Sequence, residues 1–270
     1  MITTNGRPSE EGIERAKQLA KEWGVPYEAR RKRSIRTLHE TWACDVYVVG
    51  KEEEQFYPLG ASEPFTFHPS MSLVRYKRMK RGGEDPLVAL GSLREGDTFV
   101  DCTLGRGSDS IVASAAVGES GRVLAFEKVK PIARIVREGM KTYESNDSTF
   151  ERAVKQVEVK NVEAVDGLRQ LSDRSVDVVY LDPMFEASID EATPFFDVKR
   201  AAAYDPVTDE WIDEAKRVAR RAVIWKVHYK SDAPERYGFT RIRRQTSKFH
   251  YTVWTTKKEA GTKPSQMKTQ

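Results

Sequence analysis

Thr98-Phe-Val-Asp-Cys-Thr-Leu-Gly-Arg-Gly-Ser-Asp109 is the stretch on which the reading of the whole chain turns. Phe99 and Val100 open it as a buried strand, and Asp101 stands where that strand ends. Gly105 and Gly107 form a turn, and Ser108 and Asp109 offer caps to a helix running to Val117. A strand that ends in a glycine turn and opens a helix is a common entry to a nucleotide pocket, because glycine bends sharply and lets a ligand lie against the backbone. Two acids downstream, Glu127 and Asp182, fall where such a pocket needs them.

Outward from this stretch, strands and helices alternate. Strands are expected at Thr98–Cys102, Arg122–Phe126, Val154–Lys160, Val176–Leu181 and Ala222–Val227. Helices are expected at Ser108–Val117, Pro131–Tyr143, Gly167–Leu171 and Asp209–Arg220. Val176–Leu181 is nearly continuous in apolar residues and reads as a central strand covered on both faces. This alternation predicts an α/β fold with a doubly wound, mainly parallel sheet. Phe239–Arg244 and Phe249–Thr255 close it as an antiparallel edge.

The amino-terminal part reads differently. Residues 1–9 look disordered, and Ile13, Ala16, Leu19, Ala20 and Trp23 recur at helical spacing. Trp42–Val49 and Gln55–Leu59 suggest a hairpin, and Ser70–Lys80 a basic helix before Gly82-Gly83. Residues 1–85 are therefore expected to form a small α+β extension, 86–257 the main domain, and 258–270 a polar, disordered tail.

Bulk properties bound the function. With 39% hydrophobic and 32% charged residues, a large core under a charged surface is expected. No apolar run of roughly 18 residues and no leader pattern is seen, so neither a membrane span nor secretion is expected. Cys44 and Cys102 fit neither a disulfide framework nor a metal site, and a reducing cytoplasm is the simplest compartment. Net charge is only +4, but Arg30–Arg33, Arg75–Arg81 and Arg241–Arg244 are local basic clusters. Each is either a solvated face or a phosphate contact.

Ligands of such sheets bind beyond the carboxyl ends of the strands, where Asp101, Glu127, Asp166 and Asp182 are all expected. Glu127 lies about 20 residues after the glycine turn, the spacing at which an acid accepts both hydroxyls of a ribose. Asp166 either contacts adenine or caps the helix from Gly167. Asp182-Pro-Met-Phe185 sets an acid, a rigid Pro183 and an aromatic Phe185 within four residues, which suits a flat amine held for attack. The alternative is a turn with Phe185 in the core. His68, Arg75 and Lys226 are candidate substrate contacts, and Lys226 is equally a lysine snorkelling from a strand end.

Taken together, these residues resemble the class I S-adenosylmethionine-dependent methyltransferases, with their Rossmann-like sheet. Within them the chain is most similar to the bacterial small-subunit ribosomal RNA guanine-N2 methyltransferases. Asp101-Cys-Thr-Leu-Gly-Arg-Gly-Ser-Asp109 matches their cofactor loop, and Val178-Val-Tyr-Leu-Asp-Pro-Met-Phe185 their active-site loop. Arg221–Val227 resembles the strand that follows. The resemblance implies S-adenosyl-L-methionine as cofactor, held by Ser108, Asp109, Glu127, Lys128, Asp166, Gly167 and Asp182. It also implies ribosomal RNA or the small ribosomal subunit as partner, with no metal. Glu186 departs from the pattern where the family has a second proline, and Arg106 stands between the two glycines. DNA or a small planar amine as substrate, a nicotinamide-dependent oxidoreductase, and a non-catalytic RNA-binding module are the competing readings.

Overall fold

A computed structural model describes residues 1–51, 53–183, 207–243 and 247–256 of the chain. Two sheets are present among the described residues. The smaller contains β1 (Ile2–Thr4), β2 (Val46–Val49) and β3 (Glu54–Tyr57), with β1 parallel and β3 antiparallel to β2. Helix α1 (Glu10–Trp23) starts at Ser9, whose hydroxyl accepts the Gly12 amide, and stops at Gly24 in the left-handed region. Helix α2 (Ile35–Trp42) occupies the start of the expected Trp42–Val49 strand, because Ser34 caps it and its apolar face buries Leu38.

The amino terminus is not disordered. Ile2 is fully buried, its amide donates to the Pro26 carbonyl, and its own carbonyl accepts the Glu28 amide. Partners more than 20 residues away hold β1 in place, so no local pattern announces it.

The larger sheet holds β4 (Thr98–Asp101), β5 (Arg122–Phe126), β6 (Glu158–Lys160), β7 (Val176–Leu181), β8 (Ala219–His228), β9 (Thr240–Ile242) and β10 (Phe249–Thr255). Their order is β6-β5-β4-β7-β8-β10-β9. The first five in that order run parallel, and β10 is antiparallel to both its neighbours. The direction of winding reverses between β4 and β7, which makes the crevice at their carboxyl ends the topological switch point.

Helices α3 (Ser70–Lys80) and α4 (Pro86–Gly91) precede this sheet. Helices α5 (Ser108–Val117), α6 (Lys130–Thr142), α7 (Ser148–Lys155), α8 (Ala164–Arg169), α9 (Asp209–Val218) and α10 (Ala233–Arg236) lie within or after it. The expected strand at Val154–Lys160 is largely wrong. Asp147 caps α7, which carries Phe150 and Val154 into the core, and only Glu158–Lys160 is strand.

Both faces of the sheet are covered. Phe99, Tyr180, Ile224 and Tyr251 share one apolar cluster with Ile111 of α5 and with Ile2, Leu19 and Tyr47 from the amino-terminal part. Val100, Val179, Leu181 and Trp225 share the other with Leu168, Trp211 and Ile212. Successive strand residues point to opposite faces, so strands buried on both sides must be apolar throughout. A polar clasp adds to this packing: Arg134 of α6 donates two hydrogen bonds to Glu54 of β3, at 2.8 and 3.0 Å, and Tyr47 donates a third. Burial opposes ionisation of Glu54, but Arg134 and Tyr47 outweigh it and hold the acid below its ordinary range. Among the described residues, no helix is long and apolar enough to cross a membrane.

Because β1 is buried, Ile2→Ala is expected to lower unfolding free energy by about 2–4 kcal/mol in urea titrations. A change within about 0.5 kcal/mol, the size of a surface substitution, would contradict this packing.

Candidate active site

Sheet register brings the predicted acids to one rim. Asp101 pairs with Ala125 on one side and Tyr180 on the other, and Glu127 and Asp182 lie two residues beyond those partners. Backbone bonds tie the loops together. The Leu104 amide donates to the Phe126 carbonyl at 2.9 Å, and the Asp182 amide to the Thr103 hydroxyl at 2.7 Å.

The glycine turn has a specific physical cause. Gly107 closes it by donating to the Leu104 carbonyl, with φ at +75°. That φ favours glycine; a Cβ there would also press on the end of the flexible Met140 side chain, which could move aside. Gly107 is thereby the N-cap of α5. Ser108 and Asp109 lie inside its first turn and do not cap it, contrary to expectation. Gly105 is also left-handed, but a Cβ on it would meet only the Thr103 carbonyl at 3.9 Å, so space is open over this part of the turn.

Two acids are fixed by neutral donors. Asp101 is buried and accepts bonds from the Thr103 amide and, at 2.6 Å, from the Ser110 hydroxyl. Burial pushes its pKa up to about 7; the Ser110 bond opposes this, and the Asp109 and Asp182 carboxylates add to it. Glu127 accepts the Gly105 amide through Oε2 and the Val129 amide through Oε1. Burial raises its pKa despite those two donors.

The other acids are fixed by cations. Arg75 of α3 donates to both oxygens of Asp85 at 2.9 Å and to Asp109 Oδ1 at 2.5 Å. Tyr180 donates to Asp109 Oδ2. Burial works against the Arg75 charge, but the Asp85 and Asp109 carboxylates overcome it and keep the guanidinium protonated. On β8, Lys226 Nζ lies 2.5 Å from Asp182 Oδ2. Burial and the nearby Asp109 raise the Asp182 pKa, while Lys226 opposes the rise. The lysine is itself raised, since Asp182 and Asp109 outweigh its burial.

The remaining candidates are placed less centrally. Asp166 is exposed and paired with Arg169 at 2.9 Å. It does not cap α8; Glu163 does, by accepting the Val165 amide. Gly167 is buried against the Phe126 ring, 2.7 Å from where its Cβ would be. The Lys128 and Glu127 carbonyls are both held by Asn161. His68 is exposed beside Ser70, and Pro183 is buried. Phe185 lies outside the described residues. Asp85, Thr103, Ser110, Tyr180 and Asn161 escaped the sequence reading. Asp85 before Pro86 is a visible helix cap, but nothing local links it to Arg75.

Some members of the basic clusters are paired with acids within the fold. Arg75 and Arg78 meet Asp85, Lys80 meets Asp147, Arg33 meets Glu28, and Arg241 meets Glu235.

An acid-lined rim at the switch point of the larger sheet, beside a glycine turn, fits a nucleotide-cofactor enzyme. Residues 67–232 match the family described as "Putative SAM-dependent methyltransferase". The chain is 41% identical over 253 residues to YpiP of Bacillus subtilis (strain 168), an uncharacterized protein, covering 94% of this chain and 98% of that one. Among solved structures it is similar to the SAM-dependent methyltransferase NGO1261 from Neisseria gonorrhoeae, at 18% identity and TM-score 0.61, covering 94% and 95% of the two chains. This chain belongs to the SAM-dependent methyltransferase family, and its cofactor is S-adenosyl-L-methionine. That removes the nicotinamide alternative.

Asp101 binds its proton more tightly folded than unfolded, so the stability it contributes is present at acid pH. It is lost as pH rises from its ordinary value of 3.8 through about 7. Asp101→Asn is expected to flatten the fall of Tm across that window. An unaltered profile in a melting series would contradict the assignment.

Proposed function

We propose that this chain methylates an exocyclic amino group of a nucleic-acid base, guanine N2 of ribosomal RNA being the acceptor that its Asp182 loop suggests. The observation that carries the reading is the Asp182 carboxylate. Its backbone is pinned to the glycine loop through Thr103, Lys226 holds one oxygen, and a quarter of the side chain is accessible.

The residues at the rim fit the cofactor. Glu127, already oriented by two amides, keeps lone pairs for ribose hydroxyls. The open face of Gly105 accommodates a ligand against the backbone, and exposed Asp166 is the residue assigned to adenine in this reading. When bound, S-adenosylmethionine supplies an electrophilic methyl group.

The protein's part is orientation and charge. Holding a flat amine in line contributes roughly 7–11 kcal/mol to lowering such a barrier. Asp182 accepts a hydrogen bond from the amino group and favours the positive charge that develops on its nitrogen. The Pro183 carbonyl is a second acceptor in this scheme. A base in folded RNA must leave its stack to reach this acid. The reading places the enzyme in the cytoplasm, with the small ribosomal subunit.

Asp182→Asn is expected to lower methyl transfer from labelled cofactor to RNA by about a hundredfold or more, a larger change than in S-adenosylhomocysteine affinity. Unchanged incorporation would remove Asp182 from catalysis. Lys226→Met withdraws the cation that lowers the Asp182 pKa, so the acid limb of the pH–rate profile is expected to move alkaline by about one to two units. An unmoved limb would contradict the coupling. Mass-spectrometric mapping of ribosomal RNA from cells lacking the gene would locate the acceptor.

A further inference from the structure

We propose that the aromatic end of the β8–β10 pair binds single-stranded RNA by stacking the nucleotide next to the target base. This inference rests on the nucleic-acid reading given above and extends it to a surface that continues outward from the site.

The surface begins at the site itself. Lys226 Nζ, 2.5 Å from Asp182, also lies 5.9 Å from the centre of the Phe249 ring. Phe249 and His228 are 5.8 Å apart, His228 and Tyr229 4.6 Å, and Tyr229 and His250 6.4 Å. Lys230 Nζ stands 5.8 Å over Tyr229. An unbroken run of rings and ammonium groups therefore leads away from the proposed catalytic acid.

Register explains why the run is at the rim. Lys226 pairs with Tyr251 and His228 with Phe249, so these four share one face of the sheet. Tyr251 is buried there, in the cluster beneath the helices. Two residues further out the cover has ended, and Phe249 is 38% exposed; Tyr229 at the tip is 49% exposed. Large rings on a strand end are held outward without a core to fill.

The charge at this end selects the occupant. Lys226 and Lys230 stand 5.9 and 5.8 Å from the Phe249 and Tyr229 ring centres, and Lys230, Lys248 and His250 add to burial in lowering the His228 pKa. Rings interleaved with cations suit a polyanion whose bases present flat faces. A duplex hides those faces in its stack. Tyr229 lies three residues after Lys226, just past the end of β8, so the two backbones are at most roughly 10 Å apart, a span that fits a neighbouring nucleotide rather than the target itself.

The test uses the full chain with S-adenosylhomocysteine, a fluorescein-labelled 12-nucleotide RNA containing one central guanosine, and the same RNA annealed into a duplex. Fluorescence anisotropy at fixed salt reads affinity. Single-stranded RNA is expected to bind more tightly than duplex. Tyr229→Ala and Phe249→Ala are each expected to weaken it by about fivefold to a hundredfold, with Tyr229→Phe restoring it. S-adenosylhomocysteine affinity should stay unchanged in all three, which shows that they fold. If the unaltered protein methylates RNA while both alanine variants bind it equally well, or if duplex binds as tightly, the stacking surface is overturned and the proposed function stands. If the unaltered protein neither binds nor methylates RNA, the functional reading falls and takes this inference with it.

Discussion

Three carboxylates, Asp101, Asp109 and Asp182, crowd the carboxyl ends of β4 and β7, and their mutual repulsion must be answered inside the fold. Two cations answer it from opposite sides. Arg75 enters from α3, ahead of the main sheet, and Lys226 from β8 within it. Truncating one member of such a buried set leaves its partner uncompensated, which is far costlier than losing a surface ion pair. The amino-terminal segment is thus more than an appendage. It supplies a charge to the rim as well as Ile2, Leu19 and Tyr47 to the apolar cluster beneath it.

The same arrangement links rigidity to chemistry. Asp101, its pKa pushed by burial up to about 7, accepts from Ser110, so it helps anchor the start of α5. Glu127 is oriented by amides of the loops it faces. Asp182 is held at its backbone by Thr103 and at its carboxylate by Lys226. Each acid has a different counterpart, and the different environments separate their ionisation. A methyl transfer that depends on alignment needs fixed acceptors more than mobile ones.

Much of this was legible in the amino acids, for identifiable reasons. α5, β5 and β7 fall where expected because each is a short, mostly apolar run bounded by glycine or polar residues. Val154, Val157 and Val159 misled because two patterns overlap: the first belongs to a helix face and the last to a strand. β1 was invisible because three residues make no pattern and its partners are remote. The acids at the rim were readable from their spacing after apolar runs. Arg75 was singled out for substrate, and its ties to Asp85 and Asp109 arise from helix packing that spacing does not encode.

The placement of β10 between β8 and β9 has a bearing on biogenesis. A chain emerging from the ribosome completes β8 at His228, yet the strand destined to lie beside it begins only at Phe249. Until then β8 presents a bare flank containing Val223, Ile224 and Trp225, and β9 has nothing to pair with. Uncovered apolar edges invite pairing between molecules. Translation that stalls before residue 249 therefore yields a sticky fragment, and β10 is the strand that seals this flank of β8.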